Sequence, residues 1–564
     1  MITTSQDLAE RPADSAVPAA VPTAALLTGA LLSACGGGGG GAAAPGAATP
    51  PPARESVTPE RAARFLAQAS MGATREQIAM VQSLGYAGWL DEQFALPASR
   101  SRWDWLVGAG FSAPGNLAPD ASADACQWRK LLGSHDTLRQ RVTLALSEIV
   151  VAGLSGFAGD EWYAFAGAAF MDLLEANAFG NYRALLQQVS LSAPMGEYLT
   201  YINNVKSNPA TGTIPDENYA RELLQLYTIG VVQLNLDGTL KLSAGAARET
   251  YTQDDIMGLA RVFTGWDYDW SAGDVTTPLF KRMPLIQNGA LHESGSKTFL
   301  GTTIAVGTDG ASSLSQALDA IFAHPNVAPF ISGQLIQRLV TSNPSAAYVA
   351  RVATVFNNDG SRTKGNLKAV IRAILLDDEA RNSAYQSAPG FGKLREPILR
   401  LAAWARAFKV TSPGDTWGIG NTSDPATRLG QSPLRAPSVF NFFRPDYVPP
   451  NTAIARAGLV APEFQITNES TVVGYVNFMQ NVIGSGIGDL VPDYSTLLPL
   501  AETARALVDE VNLVLAAGQL SATTVALVVS CLDGMPAGDD AARLNRVRAA
   551  LVMVMAAPEF IVQK

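Results

Sequence analysis

Histidine and cysteine are both scarce in this chain, with three of each among 564 residues. Cys35, Cys126 and Cys531 are too few for a disulfide framework, and once Cys35 is used otherwise the single pairing left is Cys126 with Cys531. His135, His292 and His324 lack the ligand spacing of a zinc site, so no metal is expected. Charge is sparse as well. Only 16% of residues are charged, and 50 acidic against 41 basic residues leave a net charge of −9. With no basic patch in view, nucleic acid and an anionic membrane surface are poor partners. A phosphate-binding loop, a dinucleotide fingerprint, an EF-hand and His-Glu-x-x-His are all absent, and Gly484-Ser485-Gly486 lacks the spacing of a nucleophile elbow. Cofactor-dependent chemistry therefore has no support, and the cofactor, if one is used, is unknown. No repeat of fixed period is present, which argues against a solenoid.

What is present begins with an address. Residues 17–34 carry no charge, hold the apolar run Ala24-Ala25-Leu26-Leu27-Thr28-Gly29-Ala30-Leu31-Leu32 and end at Leu32-Ser33-Ala34-Cys35. A short apolar segment closed by small residues is a signal-peptide pattern and too short to span a bilayer. Its last four residues look like a bacterial lipobox, in which Cys35 becomes the lipidated first residue. Six glycines, Gly36 to Gly41, and a Pro/Ala/Gly tract follow as a tether. The expected location is the cell envelope, exported and lipid-anchored on a periplasmic or outer-membrane face. The competing reading is an alanine-rich tail, since the start of the chain offers one basic residue, Arg11, against Asp7, Glu10 and Asp14.

From Thr58 onward the periodicity is helical. Thr58-Pro59-Glu60-Arg61 supplies a capping threonine and a first-turn proline. Leu138, Val142, Ala145 and Ile149 recur at spacings of four, three and four, one face of a helix that starts near Asp136. Alternating patterns are rare, and Thr298 to Ala305 is the best strand candidate. The expected fold is mostly α, a multi-helical globular array with long loops and few short strands. Residues 1–35 read as a signal peptide with lipobox, 36–57 as tether, 58–480 as the main helical domain, and 481–564 as a C-terminal helical segment packed on it.

Polar signatures concentrate between Asp216 and Gly301. Glu217 and Arg221 stand at i and i+4 on a predicted helix, with Asn218, Glu222 and Gln225 as an adjoining polar ridge. Tyr251-Thr252-Gln253-Asp254-Asp255 adds two more carboxylates. Glu217, Glu222, Asp254 and Asp255, with His292 as proton shuttle, are the candidate catalytic set, and a structural ion-pair network is the plain alternative. Lys297, five residues after His292 and beyond Gly295, is a candidate cationic anchor for an anionic or sugar ligand. Trp266, Tyr268 and Trp270 alternate with Asp267 and Asp269, a composition that suits sugar rings and equally suits a packed helix end. Arg221, Trp266, Tyr268 and Lys297 are thus the candidate binding residues.

In wording and order these pieces resemble the bacterial "domain of unknown function 1800" family. Leu138-Arg139-Gln140-Arg141-Val142 with Ser147-Glu148-Ile149, Pro194-Met195-Gly196-Glu197, Asp216-Glu217-Asn218-Tyr219-Ala220-Arg221-Glu222, Thr264-Gly265-Trp266 and His292-Glu293-Ser294-Gly295 carry the likeness. Leu394-Arg395-Glu396-Pro397, Gln431-Ser432-Pro433, Phe440-Asn441-Phe442-Phe443-Arg444-Pro445 and Ala461-Pro462-Glu463-Phe464 continue it. The resemblance implies an exported, mostly helical protein with no assigned reaction, often encoded beside a sulfatase-like exported family, "domain of unknown function 1501". Many relatives carry a histidine-bearing segment where this chain has Ala145-Leu146-Ser147-Glu148, and some a His-Pro pair near Ser192-Ala193. This chain has neither. Two function classes follow: an accessory or binding protein for an extracytoplasmic partner or glycan, or a hydrolase or lyase acting on an extracytoplasmic polysaccharide through the carboxylate/His set.

Overall fold

A computed structural model describes residues 57–116, 120–157 and 161–564. The expected signal segment, Cys35 and the expected tether up to residue 56 lie outside the described residues. Ser56–Lys564 forms one unit built from helices, 23 of them among the described residues, with four two-stranded antiparallel pairings. The mostly α fold is what the helical periodicity implies. None of the described helices is long and apolar enough to cross a membrane.

Helix Tyr163–Ala176 explains the centre of the first half. Its sequence YAFAGAAFMDLLEA is apolar on nearly every side, so it is stable only when covered all round. Arg102–Gly108, Asp120–Gly133 and Thr137–Ser147 pack on it from different directions. Its last turn brings Glu175 inside, and burial of that carboxylate is tolerable because Arg102 and Lys130 each approach it at 2.7 Å. Helix starts follow local chemistry. Thr58 accepts the Arg61 backbone N–H ahead of Pro59–Ala69, and Thr74, Ser101, Ser345 and Ser521 cap their helices in the same way.

The polar region around residue 250 is assembled by close packing. Helix Asn218–Gln225 lies against Gln253–Ala260, which in turn lies on strand Lys297–Phe299. The approach demands glycine at position 258, where a Cβ would stand 1.8 Å from the Thr298 carbonyl oxygen. The single strand expected over Thr298 to Ala305 is a hairpin instead, Lys297–Phe299 paired with Thr302–Ile304. Leu300 and Gly301 turn the chain with positive φ, and the run is too short to have revealed that turn by alternation alone.

The C-terminal segment is woven into the body. Ala504–Ala516 packs on Asp540–Ala556, Pro59–Ala69 and Pro397–Ala407, and strand Val562–Gln563 pairs with Lys393–Leu394. The position expected to separate two segments, 480/481, falls inside helix Glu469–Ser485. Cys126 and Cys531 do not pair; the first is buried and the second exposed. Residues 408–452 hold neither helix nor strand, yet side chains fix them. Asp489 accepts from the Ser412 hydroxyl at 2.5 Å and from the Gly414 N–H at 3.1 Å.

Candidate functional site

The carboxylates that sequence placed together take separate positions. Glu217 sits at the start of Asn218–Gln225, where Arg221 Nη2 approaches one of its oxygens at 3.0 Å and Gln253 Nε2 donates to it at 2.6 Å. Three side chains thus clamp two helix ends at the surface. Glu222 faces inward and is buried, one oxygen without a hydrogen-bond partner, beside tyrosines from three segments. Burial raises its carboxyl above the ordinary range against the opposing pull of Arg221. The neighbouring Tyr198 phenol is pushed up to about 12 by burial and by Glu222.

Asp254 is exposed on the first turn of its helix. Asp255 is fully committed to structure. One oxygen closes a capping box with the Thr252 N–H at 2.7 Å, and the other accepts the Leu300 N–H at 2.6 Å, tying the helix to the hairpin turn. Burial works against ionisation of Asp255, but these backbone donors hold its carboxyl below the usual range.

His292 and Lys297 both lie inside the protein. His292 is 4% exposed and its Nδ1 lies 2.9 Å from the Thr264 carbonyl oxygen. Nε2 of His292 and Nζ of Lys297 are both buried without a hydrogen-bond partner. Burial lowers both groups, and the Lys297 charge lowers His292 further. Gly265, at φ 77°, makes the junction possible, since a Cβ there would stand 2.8 Å from the His292 backbone nitrogen. Trp266 is 3% exposed and donates through Nε1 to the Val262 carbonyl at 3.2 Å. Its faces are turned to the core, so it does not join His292 and Lys297 as a stacking platform open to ligand.

Tyr268 points to another place. Its hydroxyl donates to Glu197 at 2.7 Å, and the same oxygen of Glu197 receives Lys281 Nζ at 2.5 Å, a buried pair lying under the rings of Tyr268 and Phe280. Lys281 borders a cleft of about 410 Å³, the size of a small-ligand site. Its walls come from the start of Arg102–Gly108, one face of Tyr163–Ala176, residues 188–194 and residues 281–284. Leu173, Leu191 and Met283 make much of the surface apolar. Arg282 lies with its guanidinium 4.7 Å over the Trp103 ring and has no ion-pair partner among the described residues. Asp172, also at the lining, is already engaged: it accepts the backbone N–H groups of Arg102 at 3.1 Å and Trp103 at 2.9 Å.

A second polar centre is wholly internal. Lys393, without measurable exposure, approaches Glu463 at 2.9 Å and Glu396 at 3.4 Å; Gln431 donates to Glu396 at 2.9 Å; Arg338 faces Glu148 at 3.3 Å. Burial and the neighbouring Glu396 push Glu148 well above the carboxyl range. Burial opposes ionisation of Glu396 too, but Lys393, the neighbouring Glu148 carboxyl and Arg141 hold it below the usual carboxyl range. Glu148 and Asn441 also border an enclosed cavity of about 20 Å³, room for one water molecule. Glu396 and Glu463 do not line it.

Five segments widely separated in sequence, around residues 141–148, 338, 393–396, 431 and 463, supply that centre, and the order of the pieces is that of a known family. The sequence model of DUF1800, described as a protein of unknown function, matches residues 64–562. The chain belongs to the DUF1800 family. No curated protein and no solved structure matches it. In this DUF1800 member, Ser147 and Glu148 border the small internal cavity and Ser192 borders the cleft. Among the described residues, no group of three or more His, Cys, Asp or Glu side chains is arranged to hold a metal ion.

Sequence reasoning passed over Trp103, Lys281 and Arg282, because an aromatic and two cations almost 180 residues apart carry no local signature. Arg141, Glu148, Glu396 and Glu463 stand out in the sequence only as family wording. A signal was there: Arg141 adjoins Val142 on a helix whose face is otherwise apolar, and Glu148 precedes Ile149.

Proposed function

We propose that this DUF1800 member is an exported, lipid-anchored binding protein that holds a glycan-type ligand in the cleft between Trp103 and residues 281–284, as accessory to an exported partner such as a DUF1501 protein. The cleft itself carries the reading: about 410 Å³, apolar over much of its surface, with polar groups at its edge. Sugars present apolar ring faces and hydroxyl edges, the two kinds of surface this cleft offers. The recess near Arg505 and Asp509 is wider, but its cation is paired with its acid at 2.8 Å and it has no aromatic wall.

The hydrolase or lyase reading draws less support. Polysaccharide cleavage by carboxylates needs an acid and a base across one open site. Glu217 is clamped by Arg221 and Gln253, Asp255 is a cap, Asp254 is exposed, and Glu222 and His292 are buried apart from the cleft lining.

The test is a thermal-shift and calorimetric screen of the full chain against neutral and acidic oligosaccharides. Ala169→Phe, which fills the cleft from the Tyr163–Ala176 helix, should abolish any ligand-dependent shift while leaving the unliganded melting temperature within about a degree. A wild-type protein that responds to no saccharide, or a response untouched by Ala169→Phe, sinks the cleft as the site.

A further inference from the structure

We infer that the ligand of this cleft is an acidic sugar, one bearing a carboxylate, and that Arg282 is the residue that selects for it. The inference rests on the cleft being the ligand site. Three features of the cleft lead to it. First, Arg282 is exposed at the lining and free of any acidic partner among the described residues, although the chain carries more acidic than basic side chains. Second, its guanidinium is held in place. Stacking at 4.7 Å over Trp103, itself 5% exposed and packed edge-on against Phe165, restrains the side chain without using its N–H donors. A planar fork restrained on an aromatic face presents its N–H edge to whatever enters, and a carboxylate matches that edge with two parallel hydrogen bonds.

Third, Lys281 and Asp172 are already answered. Lys281 is neutralised by Glu197, and Asp172 is occupied by the backbone N–H groups that open the Arg102–Gly108 helix and by Arg102 Nη1 at 3.2 Å. Asp104 remains as an exposed carboxylate at the lining, suited to accept sugar hydroxyls. Arg282 is therefore the cation left to meet a negatively charged group, while Leu173, Leu191 and Met283 meet a ring face. A neutral sugar would leave the guanidinium solvated and gain only the apolar contact.

Oligogalacturonate and its methyl ester separate charge from shape, because the two chains differ only in whether the carboxylates are masked. Calorimetric titration of the full chain should give an affinity for the free acid about 10- to 100-fold above that for the ester, the range expected of a charge-assisted bidentate pair. Arg282→Gln should lower acid binding to the level of the ester and so erase that preference; Arg282→Lys should retain part of it. Equal binding of acid and ester, insensitive to Arg282→Gln, overturns the charge assignment but leaves the cleft as a neutral-sugar site. Binding of neither form, together with silence across the neutral panel, overturns both.

Discussion

Replacing Lys393 with methionine tests whether the internal centre is held by charge. The ammonium has no measurable exposure and stands 2.9 Å from Glu463 and 3.4 Å from Glu396, while also donating to the Arg338 carbonyl at 2.9 Å. Methionine fills nearly the same volume, so packing changes little, but two buried carboxylates lose their shared cation. Breaking a buried pair from one side costs about 3–5 kcal/mol. Unfolding entropy of about 2 cal/mol/K per residue, taken over roughly 500 residues, converts this to a fall of about 3–5 °C in melting temperature. Glu148→Gln is the matched control. Because Glu148 is held above its unfolded value, its contribution is full below about pH 4.3 and is lost as pH rises toward the folded value. An amide has no proton to lose, so this variant should equal or exceed wild type at pH 8 and show a flatter dependence above pH 5. Calorimetry across pH 5–8 provides both readings. If Lys393→Met melts within a degree of wild type, the charge account of the centre fails.

Lys297→Met should raise the melting temperature, because it removes a buried ammonium that has no hydrogen-bond partner; a drop of several degrees would show that the charge is satisfied. His292 is depressed, so its stabilisation is present above the unfolded value near 6.5 and is lost as pH falls below it; His292→Asn should flatten the melting profile between pH 6.5 and 5, and an unchanged slope counts against this. Asp255→Ala removes a capping box and the Leu300 anchor together and should cost about 2–3 kcal/mol in urea denaturation, with a loss under 0.5 kcal/mol contradicting the structural role. Cys35→Ala should move the protein from the membrane to the soluble fraction, since stable anchoring needs the acyl chains that lipidation supplies; unchanged fractionation, or an intact N-terminus by mass spectrometry, refutes the lipid anchor.

Local signals determined the helical character. Apolar residues at spacings of three and four, with Thr58, Thr74 and Ser101 at helix starts, act within one turn and need no distant partner, so they were legible in a single sequence. Family membership was equally legible, because it lies in the wording and order of short pieces. The direction of each polar side chain was not. Glu217 and Glu222 are five residues apart, yet one is clamped at the surface and the other is buried, because the helix rotates by 100° per residue and only the packing against Gln253–Ala260 sets which side faces in. Aromatic alternation at Trp266, Tyr268 and Trp270 left both faces possible; the core took Trp266 and left Trp270 exposed. The cleft was the least legible feature, since Trp103 and Arg282 meet only after several helices have packed around Tyr163–Ala176. Tertiary structure decided which charges find partners, and partnering is what separates a buried structural pair such as Lys281 and Glu197 from a guanidinium left free to bind.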